Sequence, residues 1–156
     1  YPHAIVSRTF SKAYSLCFQR VGYFVGHPTL IEALGRIRDS YNVNGIGQVA
    51  ALATLSDISR YQNRFKQIAQ LRKETSEALE AIGFEVLPSQ ANFIFAKPVG
   101  ISAEEWFQSL RQRNILTRWF DTPRVRNGLR ITIGTENEMA KFLSVTGSIP
   151  RTNRNE

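Results

Sequence analysis

Arg8-Thr9-Phe10-Ser11-Lys12 is the stretch of sequence that decides the fold, and Arg20-Val21-Gly22-Tyr23 follows eight residues after the lysine. Two hydroxyl side chains accompany the lysine in a polar segment, and an arginine returns further along the chain. A phosphate group needs several hydrogen-bond donors, and a guanidinium group offers two parallel donors to its oxygens. A lysine beside that phosphate can reach an aldehyde on the same ligand and form a Schiff base with it. The candidate residues for this chemistry are Lys12, Arg20, Ser11 and Thr9.

The segments around this stretch predict short strands followed by helices. Ala4–Val6 and the glycine-bounded run Val21–Gly26 are typical of short strands. Pro28 begins a helix whose apolar residues recur on one face, and Ser40–Gly45 breaks the helical pattern. Two further helices are predicted, over Gly47–Leu55 and from Ile58 to Ile82.

After Gly83 the pattern changes to that of an α+β domain. Strands are predicted at Phe84–Leu87, Phe93–Ala96, Ile115–Phe120 and Leu129–Ile133. Ser102 with Glu105, and Thr135 with Glu138, have the spacing of capping boxes that begin helices. We therefore predict a first domain over 1–82, a second over 83–149 and a flexible tail over 150–156.

A second group of charged residues lies in this domain. Arg130 is centred in Gly128–Thr135, where alternate residues are apolar, so its side chain should point away from the apolar face. Arg118 lies in the preceding predicted strand.

The composition of the chain excludes several classes of function. The 156 residues carry a net charge of +7, but the arginines are scattered and no nucleic-acid-binding motif accompanies them, so a nucleic-acid partner is not expected. No apolar run is long enough to span a bilayer, and one cysteine, Cys17, favours a packing role and a cytoplasmic location. His3 and His27 are too isolated for a metal site.

The lysine and arginine motifs, over a span from about Val6 to Val145, resemble the class I/II aminotransferases, which are fold-type-I enzymes of pyridoxal phosphate. The resemblance implies that Lys12 binds the cofactor covalently and transfers protons, and that Arg20, Ser11 and Thr9 hold its phosphate. It also implies that substrate is bound by Arg130, Arg118 and Asn92. Cys17-Phe18-Gln19 stands where the family usually has Ala-Gly-Leu, a departure that affects the loop geometry.

The implied fold is α/β: the C-terminal part of a fold-type-I enzyme, with a remnant of the large α/β domain and a small α+β domain. The chain begins at Tyr1 without an initiator methionine, so we expect a part of a longer, homodimeric protein and an inactive isolated chain. The expected substrates are a small-molecule amino donor, histidinol phosphate, and a 2-oxo acid. The alternatives are another aminotransferase or an amino-acid-phosphate decarboxylase of this fold, or a non-catalytic interaction module.

Overall fold

The computed structural model describes residues 1–151, and their contacts group them into two compact units. Unit 1 is Tyr1–Phe65, and unit 2 begins at Lys66. The domain boundary predicted from the sequence, at Ile82, stays a prediction. The two units are defined by contacts within the chain, and this criterion places the C-terminal part of the long helix in unit 2. Of the predicted tail, residues 152–156 lie outside the described residues, whereas Arg151 donates a hydrogen bond to the carbonyl of Ile82.

Unit 1 contains a pair of antiparallel strands and mainly helices after them. Its elements are β1 (Ile5–Thr9), a short 3-10 helix (Cys17–Gln19), β2 (Gly22–Gly26), α1 (Pro28–Ile37), α2 (Gly45–Ser56) and the beginning of α3 (Ile58–Ala81). The strands pair from Ile5 opposite Gly26 to Thr9 opposite Gly22. β1 therefore extends further than the predicted Ala4–Val6, because its partner continues to Gly22.

A small core holds unit 1 together. Phe10, Val21 and Ala51 are buried against one another. Asn44 caps the N-terminus of α2, since its side chain accepts a hydrogen bond of 2.6 Å from the Gly47 N–H. Gly47 itself lies close to Val21, the residue before β2, and an added Cβ would be 2.7 Å from a methyl group of that valine.

Unit 2 contains a four-stranded antiparallel sheet with the strand order β3-β4-β6-β5. After the C-terminal part of α3, its elements are β3 (Glu85–Leu87), β4 (Phe93–Lys97), α4 (Ala103–Gln112), β5 (Arg118–Trp119), β6 (Leu129–Thr132) and α5 (Glu136–Ser148). The α/β architecture predicted from the sequence is confirmed. Among the helices of residues 1–151, none is long and apolar enough to cross a membrane.

One face of this sheet forms the core of unit 2. Ile94 and Ala96 of β4 and Leu129 and Ile131 of β6 are almost fully buried there. The helices close over them with a shared set of buried side chains, including Leu79, Trp106, Leu110 and Phe142. Alternate residues of the same strands therefore face the other way.

β5 is shorter than predicted, and the end of α4 explains the difference. Asn114 adopts a left-handed conformation with φ of 58°. The N–H of Ile115 then donates a hydrogen bond of 3.0 Å to the carbonyl of Leu110. Because Ile115 closes the helix in this way, the strand can begin only later, at Arg118.

Both predicted capping boxes are confirmed, and they make stability depend on pH. The backbone N–H of Ser102, and then its hydroxyl, lower the pKa of Glu105 below 4.5, and Thr135 lowers that of Glu138 in the same way. A carboxylate whose pKa is lower in the folded state stabilises fully above its unfolded pKa. That contribution is lost as pH falls below 4.5 towards the folded-state pKa.

We expect the midpoint of urea unfolding to decrease as pH falls through this range, and to decrease less in the double variant Glu105→Gln, Glu138→Gln. Glutamine keeps the capping hydrogen bonds but does not titrate. Fluorescence of Trp106 and Trp119, the only tryptophans and both in unit 2, reports the transition. An equally steep pH dependence in the double variant would show that other groups cause it.

Candidate functional site

The segment between β1 and β2, here called the lysine loop (Phe10–Arg20), is closed by backbone hydrogen bonds. The N–H of Phe10 donates to the carbonyl of Val21 at 3.0 Å, and the N–H of Leu16 donates to the carbonyl of Phe10 at 3.0 Å. Ser15 donates to the carbonyl of Lys12 at 3.1 Å, while the Lys12 side chain is exposed. The lysine is thus carried by an ordered turn.

Aromatic side chains support this turn from within unit 1. The buried ring of Phe10 packs at 4.9 Å from the ring of Tyr14. Tyr14 in turn contacts two aromatic residues of α3, Tyr61 at 5.3 Å and Phe65 at 5.7 Å between ring centroids. Contacts between aromatic rings stabilise a structure by more than the burial of their apolar area, so they hold the loop in position.

The three predicted phosphate-binding side chains lie together. The Thr9 and Ser11 hydroxyls are 2.9 Å apart, and the Thr9 hydroxyl accepts the Ser11 N–H at 3.1 Å. Arg20 Nη1 lies 3.5 Å from the Ser11 hydroxyl and donates to the Cys17 carbonyl at 2.8 Å. One guanidinium and two hydroxyls therefore converge on a single spot, as recognition of a phosphate requires.

Arg20 is held in a strained backbone conformation. Its φ is 56°, in the left-handed region that residues with a Cβ seldom adopt. Outliers of this kind occur often at functional sites, where the surrounding structure fixes them. Here the strain turns the chain from the 3-10 helix into β2 and brings the guanidinium back towards Ser11.

Thr9, Ser11 and Arg20 line a cavity of about 690 Å³ within unit 1. Arg8 and Arg38 also line it, and no carboxylate is among the lining residues. Sequence reasoning did not select these two arginines. The position of Arg8 directly before Thr9 was a usable signal, whereas no motif marks Arg38. The cavity therefore has the charge expected of an anion site.

A second candidate site lies on the sheet of unit 2, on the face opposite the core. Arg118 of β5 pairs directly with Arg130 of β6. Phe93 of β4 is on this face too, since its neighbour Ile94 is buried in the core. We call Arg118, Arg130, Phe93 and the adjoining Phe120 the arginine face.

The charges of the arginine face are not neutralised within the described chain. The ion pairs found among residues 1–151 involve neither Arg118 nor Arg130. Arg130 Nε is buried and has no hydrogen-bond partner among them. A buried donor without a partner costs free energy.

Asn92, the third predicted substrate-binding residue, lies just before β4. Its carbonyl accepts a hydrogen bond of 2.9 Å from the N–H of Ile133, and its side chain is exposed. The structure therefore gives Asn92 a backbone role in joining β4 to the end of β6. Within residues 1–151, no group of His, Cys, Asp and Glu side chains could hold a metal ion.

The fold and the lysine loop together define a class of protein, and comparison with known proteins agrees. Residues 1–145 match the family "Aminotransferase class I and II", and the chain belongs to that family. It is 40% identical over 153 residues to histidinol-phosphate aminotransferase of Microcystis aeruginosa, a match that covers 98% of this chain and 44% of the relative. The chain spans about 43% of the length of the curated relatives it matches.

The chain is also similar to solved structures. Histidinol-phosphate aminotransferase from Sinorhizobium meliloti, in complex with pyridoxal-5'-phosphate, is 28% identical with a TM-score of 0.76, covering 96% of this chain and 42% of that one. A decarboxylase from Sulfurospirillum multivorans is 30% identical with a TM-score of 0.79, covering 95% of this chain and 44% of that one.

Proposed function

We propose that this chain contributes the cofactor lysine and the substrate-binding arginines of a pyridoxal-phosphate-dependent aminotransferase that acts on histidinol phosphate and 2-oxoglutarate. The observation that carries the proposal is the convergence of the Arg20 guanidinium with the Thr9 and Ser11 hydroxyls in the loop of Lys12. The resemblance to histidinol-phosphate aminotransferases over nearly the whole chain supports the choice of substrate.

Thr9, Ser11 and Arg20 have the chemistry to bind the phosphate of pyridoxal phosphate, and Lys12 follows Ser11 directly without lining the cavity. The phosphate would be held by Arg20, Ser11 and Thr9, and the positive charge of Arg8 and Arg38 would attract it to the cavity. When bound, the cofactor supplies an electron sink for the bonds at the substrate's amino-bearing carbon. The role we assign to Lys12 is to bind the cofactor and afterwards to move a proton at its Nζ atom.

On the arginine face, Arg130 and Arg118 would bind the anionic end of each substrate. Histidinol phosphate carries a phosphate group, and 2-oxoglutarate carries carboxylates, so one pair of guanidinium groups can serve both halves of the reaction. The unpartnered Arg130 Nε and the absence of ion pairs to either arginine among residues 1–151 support this role.

The chain spans less than half the length of its relatives, so we propose that catalysis needs residues beyond these 156. We also propose that the active protein is a homodimer. Large apolar side chains are exposed on β1, β2 and α2, and they include Val6, Phe24, Val25, Ile46, Val49 and Leu52. The rest of the longer protein or a second copy of it would cover this apolar surface.

The first prediction concerns Lys12. Treatment of the chain with pyridoxal phosphate and then borohydride, followed by peptide mapping, should place the cofactor on Lys12. Lys12→Ala should abolish this labelling, whereas Lys73→Ala, an exposed lysine of α3, should not. Label spread over surface lysines in the chain, and also in a longer protein that contains it, would contradict the proposed role of Lys12.

The second prediction concerns Arg20. Arg20→Lys keeps the charge but loses the two parallel donors, so affinity for pyridoxal phosphate should fall on the order of tenfold. Affinity for pyridoxal, which has no phosphate, should not change. Arg36→Lys, in α1 and outside the cavity lining, is the matched control. An equal loss for both ligands would show that Arg20 does not bind the phosphate.

A decarboxylase is the second candidate function, favoured by the similarity to the Sulfurospirillum multivorans decarboxylase. Assay of the intact protein with histidinol phosphate and 2-oxoglutarate distinguishes the two. If the protein is an aminotransferase, we expect it to form glutamate, and we expect Lys12→Ala to abolish this activity. Release of carbon dioxide from an amino-acid phosphate, without glutamate formation, would support the decarboxylase instead.

A further inference from the structure

We propose that Phe120 is a positioning residue, whose ring holds the guanidinium groups of Arg118 and Arg130 together as one anion-binding subsite. The inference deepens the proposed function and rests on it for the identity of the natural anion. It assigns a role to a residue that no motif in the sequence selects.

The starting point is the repulsion between the two arginines. Arg118 lies directly opposite Arg130 in the antiparallel pair β5–β6. Like charges at such positions destabilise the pair. Neither arginine forms an ion pair with the acidic residues of the described chain. Their guanidinium groups would therefore separate into solvent unless another group attracted both.

The Phe120 ring is that group. Its centroid lies 5.0 Å from Cζ of Arg118 and 5.7 Å from Cζ of Arg130. Both distances are within the range at which the negative face of an aromatic ring attracts a cation. Phe93 adds a second ring at 5.5 Å from Cζ of Arg130 alone. Phe120 is thus the ring shared by the two charges.

The backbone around Phe120 fixes this ring from the opposite side of the sheet. Trp119 turns towards the core, where its ring lies tilted at 6.2 Å from that of Phe107, and donates its indole N–H to the Arg126 carbonyl at 2.8 Å. The N–H of Thr122 donates to the Phe120 carbonyl at 2.8 Å. Phe120 itself is not among the residues packed in the hydrophobic core. The side chain of Phe120 is therefore half-buried by its neighbours on the arginine face and not by the hydrophobic core.

The arrangement leaves the charge of both arginines without a carboxylate partner among residues 1–151. Arg130 Nε is buried without a partner among the described residues. A phosphate or carboxylate that bound beside the two arginines would neutralise both guanidinium groups. Because Phe120 already holds the two groups together, less ordering is needed when the anion binds.

The test measures binding of inorganic phosphate to the 156-residue chain by NMR, with arginine labelled at nitrogen. The Nε–Hε signals of Arg118 and Arg130, assigned with Arg118→Lys and Arg130→Lys, are followed as phosphate replaces chloride at constant ionic strength. Phe120→Leu should weaken phosphate binding at these signals on the order of tenfold. Phe120→Trp should restore it, since an indole offers a stronger aromatic face.

Phe107→Leu is the matched control, because Phe107 contacts Trp119 on the core side and touches neither arginine. It should bind phosphate as the wild type does. Equal binding by wild type and Phe120→Leu, failure of Phe120→Trp to restore binding, or absence of phosphate binding at these arginines would each overturn the proposal. If Phe120→Leu unfolds, as judged by tryptophan fluorescence, phosphate binding is compared between Phe120→Trp and Phe120→Met instead, and weaker binding by Phe120→Met is expected.

This outcome is independent of the cofactor. Phosphate binding that depends on Phe120 in a protein that fails to label at Lys12 would refute the proposed function and leave the role of Phe120 intact. A protein that labels at Lys12 but binds phosphate without regard to Phe120 would refute this inference alone.

Discussion

Strand alternation in β4 and β6 is the constraint on which unit 2 depends. The core needs Ile94, Ala96, Leu129 and Ile131 on one face, and a strand offers only every second residue to that face. Arg130, between two core residues, is therefore forced to the other face. A slip of one residue would bury its guanidinium group among apolar side chains, at a cost that no partner there could offset. The same pattern that builds the core thus positions the arginine face.

Pairing of β1 with β2 has the corresponding effect in unit 1. Thr9 opposite Gly22 ends the ladder, and the chain between them must return within the lysine loop. Gly22 permits the close pairing, since an added Cβ would lie 2.7 Å from the carbonyl oxygen of Arg8. The strained conformation of Arg20 completes the return. The side chains proposed to bind phosphate therefore converge because of backbone geometry at both ends of one loop.

Local signals in the sequence predicted most of the elements, and the hydrogen bonds that end a helix and the register of the strands explain what it missed. Ser102 and Thr135 lie three residues before glutamates, a spacing that contains the whole capping interaction, so both helix starts were found. The start of β5 depends on a hydrogen bond from Ile115 back to α4, which apolar periodicity does not encode. The contacts among Thr9, Ser11 and Arg20 were predicted only through a family motif. The contacts of Phe120 come from the register of β5 with β6, which no linear pattern contains.

Both candidate sites have arginines without carboxylate partners among residues 1–151, and this bears on the net charge of +7. Surface cations in a folded protein need no partner, because water screens them. Arg130 differs, since its Nε is buried and unbonded, and Arg118 lies directly opposite it. The folded state holds these charges closer together than an unfolded chain would, so it gains more from an anion. By linkage, a ligand that binds only the folded state stabilises it. We therefore propose that part of the basic charge is the complement of a small anionic ligand, because these arginines lie at defined positions and lack carboxylate partners among residues 1–151.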